Sequence, residues 1–248
     1  MARMDWILIG LFLAVTKLAE YSFAYKAFEV CTFPLLIIAP LLIPLFSKVF
    51  GDDLPDIEKL TKLKLLLSVE LAIASFTSLV LVIVWVPIVD FITAGKYGNV
   101  NRNTIFILSL SIPFLYFNNF MWTINFSRSK LKLIFSIFVI TFLVNLSGDL
   151  LMIPRFQNEG AAAACFLALL AQSVCFLRVT KIIGLEKLVY PLFICPICAL
   201  ASGFISTYCF KDVSIVLISS VCIYLTSVII SLRIAVPQIR IFRSVLVS

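Results

Sequence analysis

The first candidates for chemistry are charged residues within apolar stretches near the start of the chain. Lys17 and Glu20 are three residues apart, and so are Lys26 and Glu29. Side chains at that spacing share one helix face, and charges at membrane depth usually face a bundle interior or an aqueous cavity. The two pairs therefore predict the lining of a polar cavity for a charged or sugar-bearing substrate. The alternatives are a turn for Lys17 and Glu20 and a structural ion pair for Lys26 and Glu29.

Four more polar residues occur further along the chain. Asn145 and Asp149 are four residues apart, so a helix places them on one face. Arg155 follows Pro154 and is predicted to pair with Asp149. Glu70 lies one or two turns inside another apolar segment. These residues predict further cavity lining, while hydrogen bonding between helices and a carboxylate that reaches the membrane interface are the alternatives.

The composition limits which elements can hold these residues. Hydrophobic residues make up 62% of the chain and charged residues 13%, whereas soluble domains have about a quarter charged residues. This excess predicts lipid as the surrounding medium. The net charge of +7 does not indicate nucleic-acid binding, because the Lys and Arg residues lie in short loops and form no basic face. No His is present, which excludes imidazole metal sites and Ser-His-Asp triads within the chain.

Apolar stretches of about 20 residues predict membrane-spanning helices. The fold class is therefore all-α, a polytopic transmembrane helix bundle in a single domain over 1–248. Most Lys and Arg residues fall in one set of alternate loops, and the positive-inside rule then places both termini in the cytoplasm. Eight spans are expected, with the first only partial: 5–19, 21–46, 65–89, 104–126, 131–153, 160–179, 188–210 and 213–236.

Three segments carry a resemblance to a known family. Residues 21–26 (YSFAYK), residues 91–97 (FITAGKY) and, best of all, residues 145–164 have the order and spacing of motifs in polysaccharide transporters. These transporters, which include O-antigen flippases, belong to the multidrug/oligosaccharidyl-lipid/polysaccharide flippase superfamily. Asp149 departs from the usual Asn, and Gln157 departs from the usual Gly, so the turn at that point is expected to differ.

The resemblance implies a flippase that moves a lipid-linked oligosaccharide, such as an O-antigen, capsule or teichoic-acid repeat unit, across a bacterial inner membrane. Residues 4–8 (MDWIL) resemble part of the seventh helix of this family, so the chain resembles the C-terminal half of a 12–14 helix flippase. A missing N-terminal half or a second copy is the expected partner, besides membrane lipid and the substrate. No nucleic acid, cofactor, metal or catalytic residue is expected.

Roles for the candidate residues follow from charge and location. The candidates for substrate binding are Lys17, Lys26, Asn145 and Arg155. The candidates for ion or proton coupling are Glu20, Glu29, Glu70 and Asp149. The alternative functions are a cation-coupled multidrug exporter of the same superfamily and a remnant that does not transport. An integral-membrane glycosyltransferase or polymerase would carry a large charged loop or a paired acidic motif, and the sequence has neither.

Overall fold

A computed structural model of the protein describes residues 4–50, 57–180 and 189–235, and every regular element in these ranges is an α-helix. The predicted all-α class is therefore confirmed for the described part of the chain. In chain order the helices are α1 (Met4–Phe12), α2 (Val15–Val30), α3 (Phe33–Phe50), α4 (Ile57–Thr93), α5 (Arg102–Ser127), α6 (Leu131–Val179), α7 (Val189–Cys209) and α8 (Val213–Ala235).

Five of these helices, α4 to α8, are long and apolar enough to cross a membrane. A sixth span results if α2 and α3, which meet at a bend of 41°, are counted as one broken span. The predicted count of eight is not confirmed, although α5, α7 and α8 correspond closely to predicted spans and α4 contains the span predicted at 65–89. The nine residues of α1 rise only about 14 Å, which is too short to cross the apolar core alone.

The predicted boundary between the first two spans, at residues 20–21, is wrong. Helix α2 runs without interruption through these residues. The chain breaks instead at residues 13–14 and at Cys31–Thr32, where the Thr32 hydroxyl donates to the Glu29 carbonyl at 2.7 Å. Pro34 follows that second break and cannot donate a backbone hydrogen bond, which favours a new helix start there. The two spans predicted at 5–19 and 21–46 are thus replaced by three shorter helices, α1, α2 and α3.

Helix α6, which is 49 residues long, is a hairpin of two arms. The backbone reverses at Gln157, where φ is 52° and ψ is −128°. A methyl group added to Gly148 would lie 2.9 Å from the Ala164 Cβ, whereas a straight helix would separate these residues by about 24 Å. The arms, 131–156 and 158–179, therefore lie side by side and correspond to the spans predicted at 131–153 and 160–179.

Helix α5 lies at the centre of the described bundle and is the most buried of the candidate spans. It packs against both α4 and α6, and more lightly against α2, α3 and α7. Phe117, Phe120 and Met121 of α5 are fully buried in the main apolar core. Helices α1 and α2 cover α6 on one side, and α7 and α8 cover α4 on the other. This arrangement creates two separate regions that contain polar or charged groups.

Candidate functional site

A buried polar cluster lies where α1 and α2 meet α6, and we define it as Asp5, Tyr21, Asn145 and Asp149. The Tyr21 hydroxyl donates to Asp5 Oδ2 at 2.6 Å, and the Trp6 backbone N–H donates to Asp5 Oδ1 at 3.0 Å. Tyr21 is completely buried, and Asp5 is 8% exposed. The short α1 helix thus presents a carboxylate to the interior instead of to lipid.

The other half of the polar cluster belongs to the first arm of α6. Asn145 and Asp149 lie on one helix face, as the spacing predicted, and Asn145 Nδ2 donates to Asp149 Oδ2 at 2.9 Å. Asp149 is fully buried and within electrostatic range of Asp5. Asp149 Oδ1 and Asn145 Oδ1 are both buried without a hydrogen-bond partner in the described part of the chain. The Asp149 carboxylate can take up a proton, and both oxygens can ligate a small cation.

A second polar layer adjoins the cluster near the turn of the α6 hairpin. Lys17 Nζ lies 3.0 Å from Glu20 Oε2, and Asn158 Nδ2 donates to the same oxygen at 3.4 Å. Glu20 therefore joins α2 to the second arm of α6, which begins at Asn158. The alternative that placed Lys17 and Glu20 in a turn is wrong, since both lie within α2.

Lys26 and Glu29 form an ion pair on the surface of α2. Their side chains are 55% and 36% exposed, so the expectation that these charges turn inward is not met within this chain. The buried face of α2 instead carries Tyr21, Ala24 and Phe28. An exposed ion pair on a helix that packs among membrane spans needs a polar neighbour, because charges facing lipid are costly.

Glu70 lies apart from the polar cluster, on α4. It is only 5% exposed, and neither carboxylate oxygen has a hydrogen-bond partner among the described residues. The Glu70 carboxylate interacts electrostatically with Tyr116 of α5. The Tyr116 hydroxyl donates a hydrogen bond to the Cys31 carbonyl at 2.9 Å. The alternative that Glu70 reaches the membrane interface is wrong, because α4 turns this side chain into the apolar core.

Arg155 does not pair with Asp149, so that predicted ion pair is wrong. Asp149 is bonded to Asn145, and Arg155 is exposed. Six residues of helix rotate a side chain by about 600°, which turns Arg155 well away from the face of Asp149. Arg155 therefore lies on the surface near the hairpin turn, outside the polar cluster.

Three residues of this region were not among the sequence candidates: Asp5, Tyr21 and Asn158. Asp5 had a usable signal, since it is a carboxylate in an apolar stretch and lies in a segment that resembles the flippase family. Tyr21 and Asn158 also lie in segments that resemble the family, at 21–26 and 145–164, but nothing local marks either residue as a partner of a carboxylate. Only the packing of α1 and α2 on α6 reveals their contacts.

The donor set of the polar cluster suits a hard cation or a proton. No group of three or more His, Cys, Asp or Glu residues placed to hold a metal occurs in residues 4–50, 57–180 and 189–235. Carboxylate and amide oxygens are ligands that monovalent and other hard cations accept, and soft metals prefer sulfur or imidazole.

A cavity of about 1120 Å³ lies on the opposite side of α5, between α4, α5, α7 and α8. We call it the apolar cavity, because most of its lining side chains are hydrocarbon. Arg102 and Lys211 lie at one end of it. The polar cluster and the apolar cavity are therefore separate sites with different chemistry.

Long apolar helices with a carboxylate-bearing polar cluster between them indicate a helical membrane protein. Comparison with known proteins adds no narrower identity. No protein-family model matches the chain, and no curated protein matches it.

Proposed function

We propose that the chain is part of a membrane transporter that moves a lipid-linked oligosaccharide, and that a proton or small cation at the polar cluster couples the movement. The observation that carries this proposal is Asp149, a fully buried carboxylate with one oxygen unpartnered in the described chain. A structural hydrogen bond needs only one of its oxygens, and an unsatisfied buried acceptor is costly. A bound cation or proton would remove that cost.

The position of the polar cluster supports a coupling role. Asp5 of α1 and Asp149 of α6 come from distant parts of the sequence, so an ion between them would draw α1 toward α6. Loss of the ion would leave two carboxylates in mutual repulsion. An ion that binds more tightly when α1 is close to α6 than when the two are apart shifts the populations of these two arrangements. Alternating access around a fixed site is driven in this way.

The sequence resemblance and the exposed charge support the proposed substrate class. Lys17 is partly exposed and Lys26 is more so, and both lie on α2. Ammonium groups at this position suit the diphosphate or acidic sugars of a lipid-linked oligosaccharide. We propose that a second half or second copy faces this surface of α2 and completes a polar passage, since lipid contact there is costly.

Complementation tests the proposal in a strain that lacks its own flippase. The full chain is expressed together with any reading frame directly upstream, and surface polysaccharide is measured. Asp149→Asn keeps a hydrogen-bond acceptor for Asn145 but removes the charge, so we expect surface polysaccharide to be lost at normal protein levels. Asp212→Asn, at an exposed position, is the matched control and is expected to keep it.

The outcomes also separate the proposed function from its rivals. Drug resistance without any polysaccharide defect would indicate a multidrug exporter instead. Unchanged surface polysaccharide in both Asp149→Asn and Lys26→Gln would remove these residues from the transport mechanism.

A further inference from the structure

The apolar cavity has the depth of one leaflet of a bilayer. Along α5 it extends from Arg102 to Pro113, a rise of about 16 Å. The hydrocarbon core of a bilayer is about 30 Å thick, so this depth reaches from one surface to near the midplane. Its volume of about 1120 Å³ slightly exceeds the range of about 300–1,000 Å³ for small-molecule pockets.

The walls of the apolar cavity suit hydrocarbon chains. Leu79 and Val82 of α4 face Phe106 and Leu110 of α5, with Phe204 of α7 completing the lining. Proline also lines the cavity on three of its helices, where it bends the helix and opens space between neighbours. The lining includes no His, Cys, Asp or Glu, so nothing in it selects for a metal.

Charge is confined to the end of the cavity that is nearest the α4–α5 and α7–α8 connections. Arg102 and Lys211 both line this end, and both are exposed. Neither side chain has an ion pair or hydrogen bond with another residue in the described ranges. Asp212 follows Lys211 but does not line the cavity. Two cations at one end of an apolar cavity complement a phosphate that is attached to hydrocarbon chains.

We propose that this cavity binds an anionic phospholipid of the surrounding bilayer, with its phosphate at Arg102 and Lys211 and its acyl chains between α4, α5 and α7. The one-leaflet depth favours a lipid that stays in its own leaflet over a long polyprenyl carrier. The site lies across α5 from the polar cluster, so it does not depend on what the protein transports. It is a binding site for a resident lipid that holds the α7–α8 pair against α4 and α5.

Native mass spectrometry of the purified full chain in detergent tests this site, with phosphatidylglycerol and phosphatidylcholine as separate probes. We expect phosphatidylglycerol to be retained more strongly. Arg102→Gln and Lys211→Gln should each lower its retention about fivefold, and should lower retention of phosphatidylcholine less, because phosphatidylcholine carries the same phosphate but no net charge. Lys96→Gln removes a cation at the same end but outside the cavity, and should have no effect. Equal retention of both lipids by the unaltered protein, or an equal loss in Lys96→Gln, would overturn the proposal.

A further variant tests the apolar cavity independently of Arg102 and Lys211. Val82→Trp places an indole among the cavity walls, so it should lower retention of both lipids while circular dichroism shows unchanged helix content. Undiminished retention in a folded Val82→Trp would place the lipid elsewhere. Displacement of phosphatidylglycerol by equimolar polyprenyl phosphate would assign the cavity to the carrier lipid, and displacement by inorganic phosphate would show a simple anion site. Either result would overturn the proposal.

Discussion

Asp149 and Glu70 are both carboxylates buried within apolar helices, but their surroundings differ. Asp149 of α6 accepts a hydrogen bond from Asn145 at 2.9 Å and lies near a second carboxylate, Asp5. Glu70 of α4 lies in the apolar core with both oxygens unpartnered among the described residues. The first belongs to a polar cluster built by three helices, and the second stands alone.

The difference predicts that two buried carboxylates contribute differently to stability. A buried polar group with partners stabilises the helices that hold it, and removing one partner leaves the other unsatisfied. A buried carboxylate without partners is a cost, and an apolar residue of similar size would remove that cost. The comparison therefore predicts opposite effects on stability at Asp149 and Glu70. Variants at these two positions test it directly, and variants at Gly160 and Tyr21 test the contacts that build the polar cluster.

The largest effect is expected at the hairpin that builds the polar cluster. A methyl group at Gly160 would overlap the Met152 carbonyl oxygen, which is backbone and cannot rotate away. Gly160→Ala should therefore lower the free energy of unfolding by about 3 kcal/mol, as overpacking does. Unfolding in detergent, followed by circular dichroism, measures the change. Gly10→Ala is the control, since its nearest contact would be an ordinary 3.6 Å to Leu18. Equal stability of both variants would contradict the hairpin packing.

Asp149→Leu should have the next largest effect. It leaves the buried Asn145 amide without an acceptor, which costs about 2 kcal/mol. Asp149→Asn retains an acceptor oxygen and serves as the control, with little loss of stability expected. The same unfolding measurement distinguishes them. If Asp149→Leu were as stable as the unaltered protein, the hydrogen bond would not contribute to the fold.

Glu70→Leu should move stability in the opposite direction, with a smaller change. Removal of an unpartnered buried carboxylate is expected to raise the free energy of unfolding by about 1.5 kcal/mol. Transport in the complementation assay should be retained, because Asp149 is the proposed coupling residue. Glu70→Gln, which removes the charge and keeps the size of the side chain, separates the effect of charge from the effect of size. A loss of both stability and transport in Glu70→Leu would show that Glu70 holds an ion or proton that the fold requires.

The smallest effect is expected at Tyr21. Tyr21→Phe removes only the hydroxyl that donates to Asp5, and it should lower the free energy of unfolding by about 1 kcal/mol. Tyr208→Phe is the control, since Tyr208 is 86% exposed on α7. Thermal unfolding of the two variants side by side gives the difference. An equal shift in both would mean that Asp5 does not depend on α2 for its position.

The sequence by itself determined the helical class and the extent of most long helices. Apolar runs long enough for lipid permit little else, because every backbone polar group must be satisfied within its own segment. The predicted spans at 104–126 and 213–236 therefore lie within a few residues of α5 and α8. The shared face of Asn145 and Asp149 was also predictable, because local helix geometry alone sets it.

Only the tertiary structure decided which charged residues meet. Asp5 and Asp149 interact electrostatically because the nine-residue α1 packs on α6, and no local pattern encodes that packing. Arg155 and Lys26 both carry the positive charge that could pair with a buried carboxylate. Helix rotation turns Arg155 away from Asp149, however, and Lys26 lies on the exposed face of α2. A helix period reports which residues share a face, whereas the neighbour of that face depends on long-range packing between segments that are far apart in the chain.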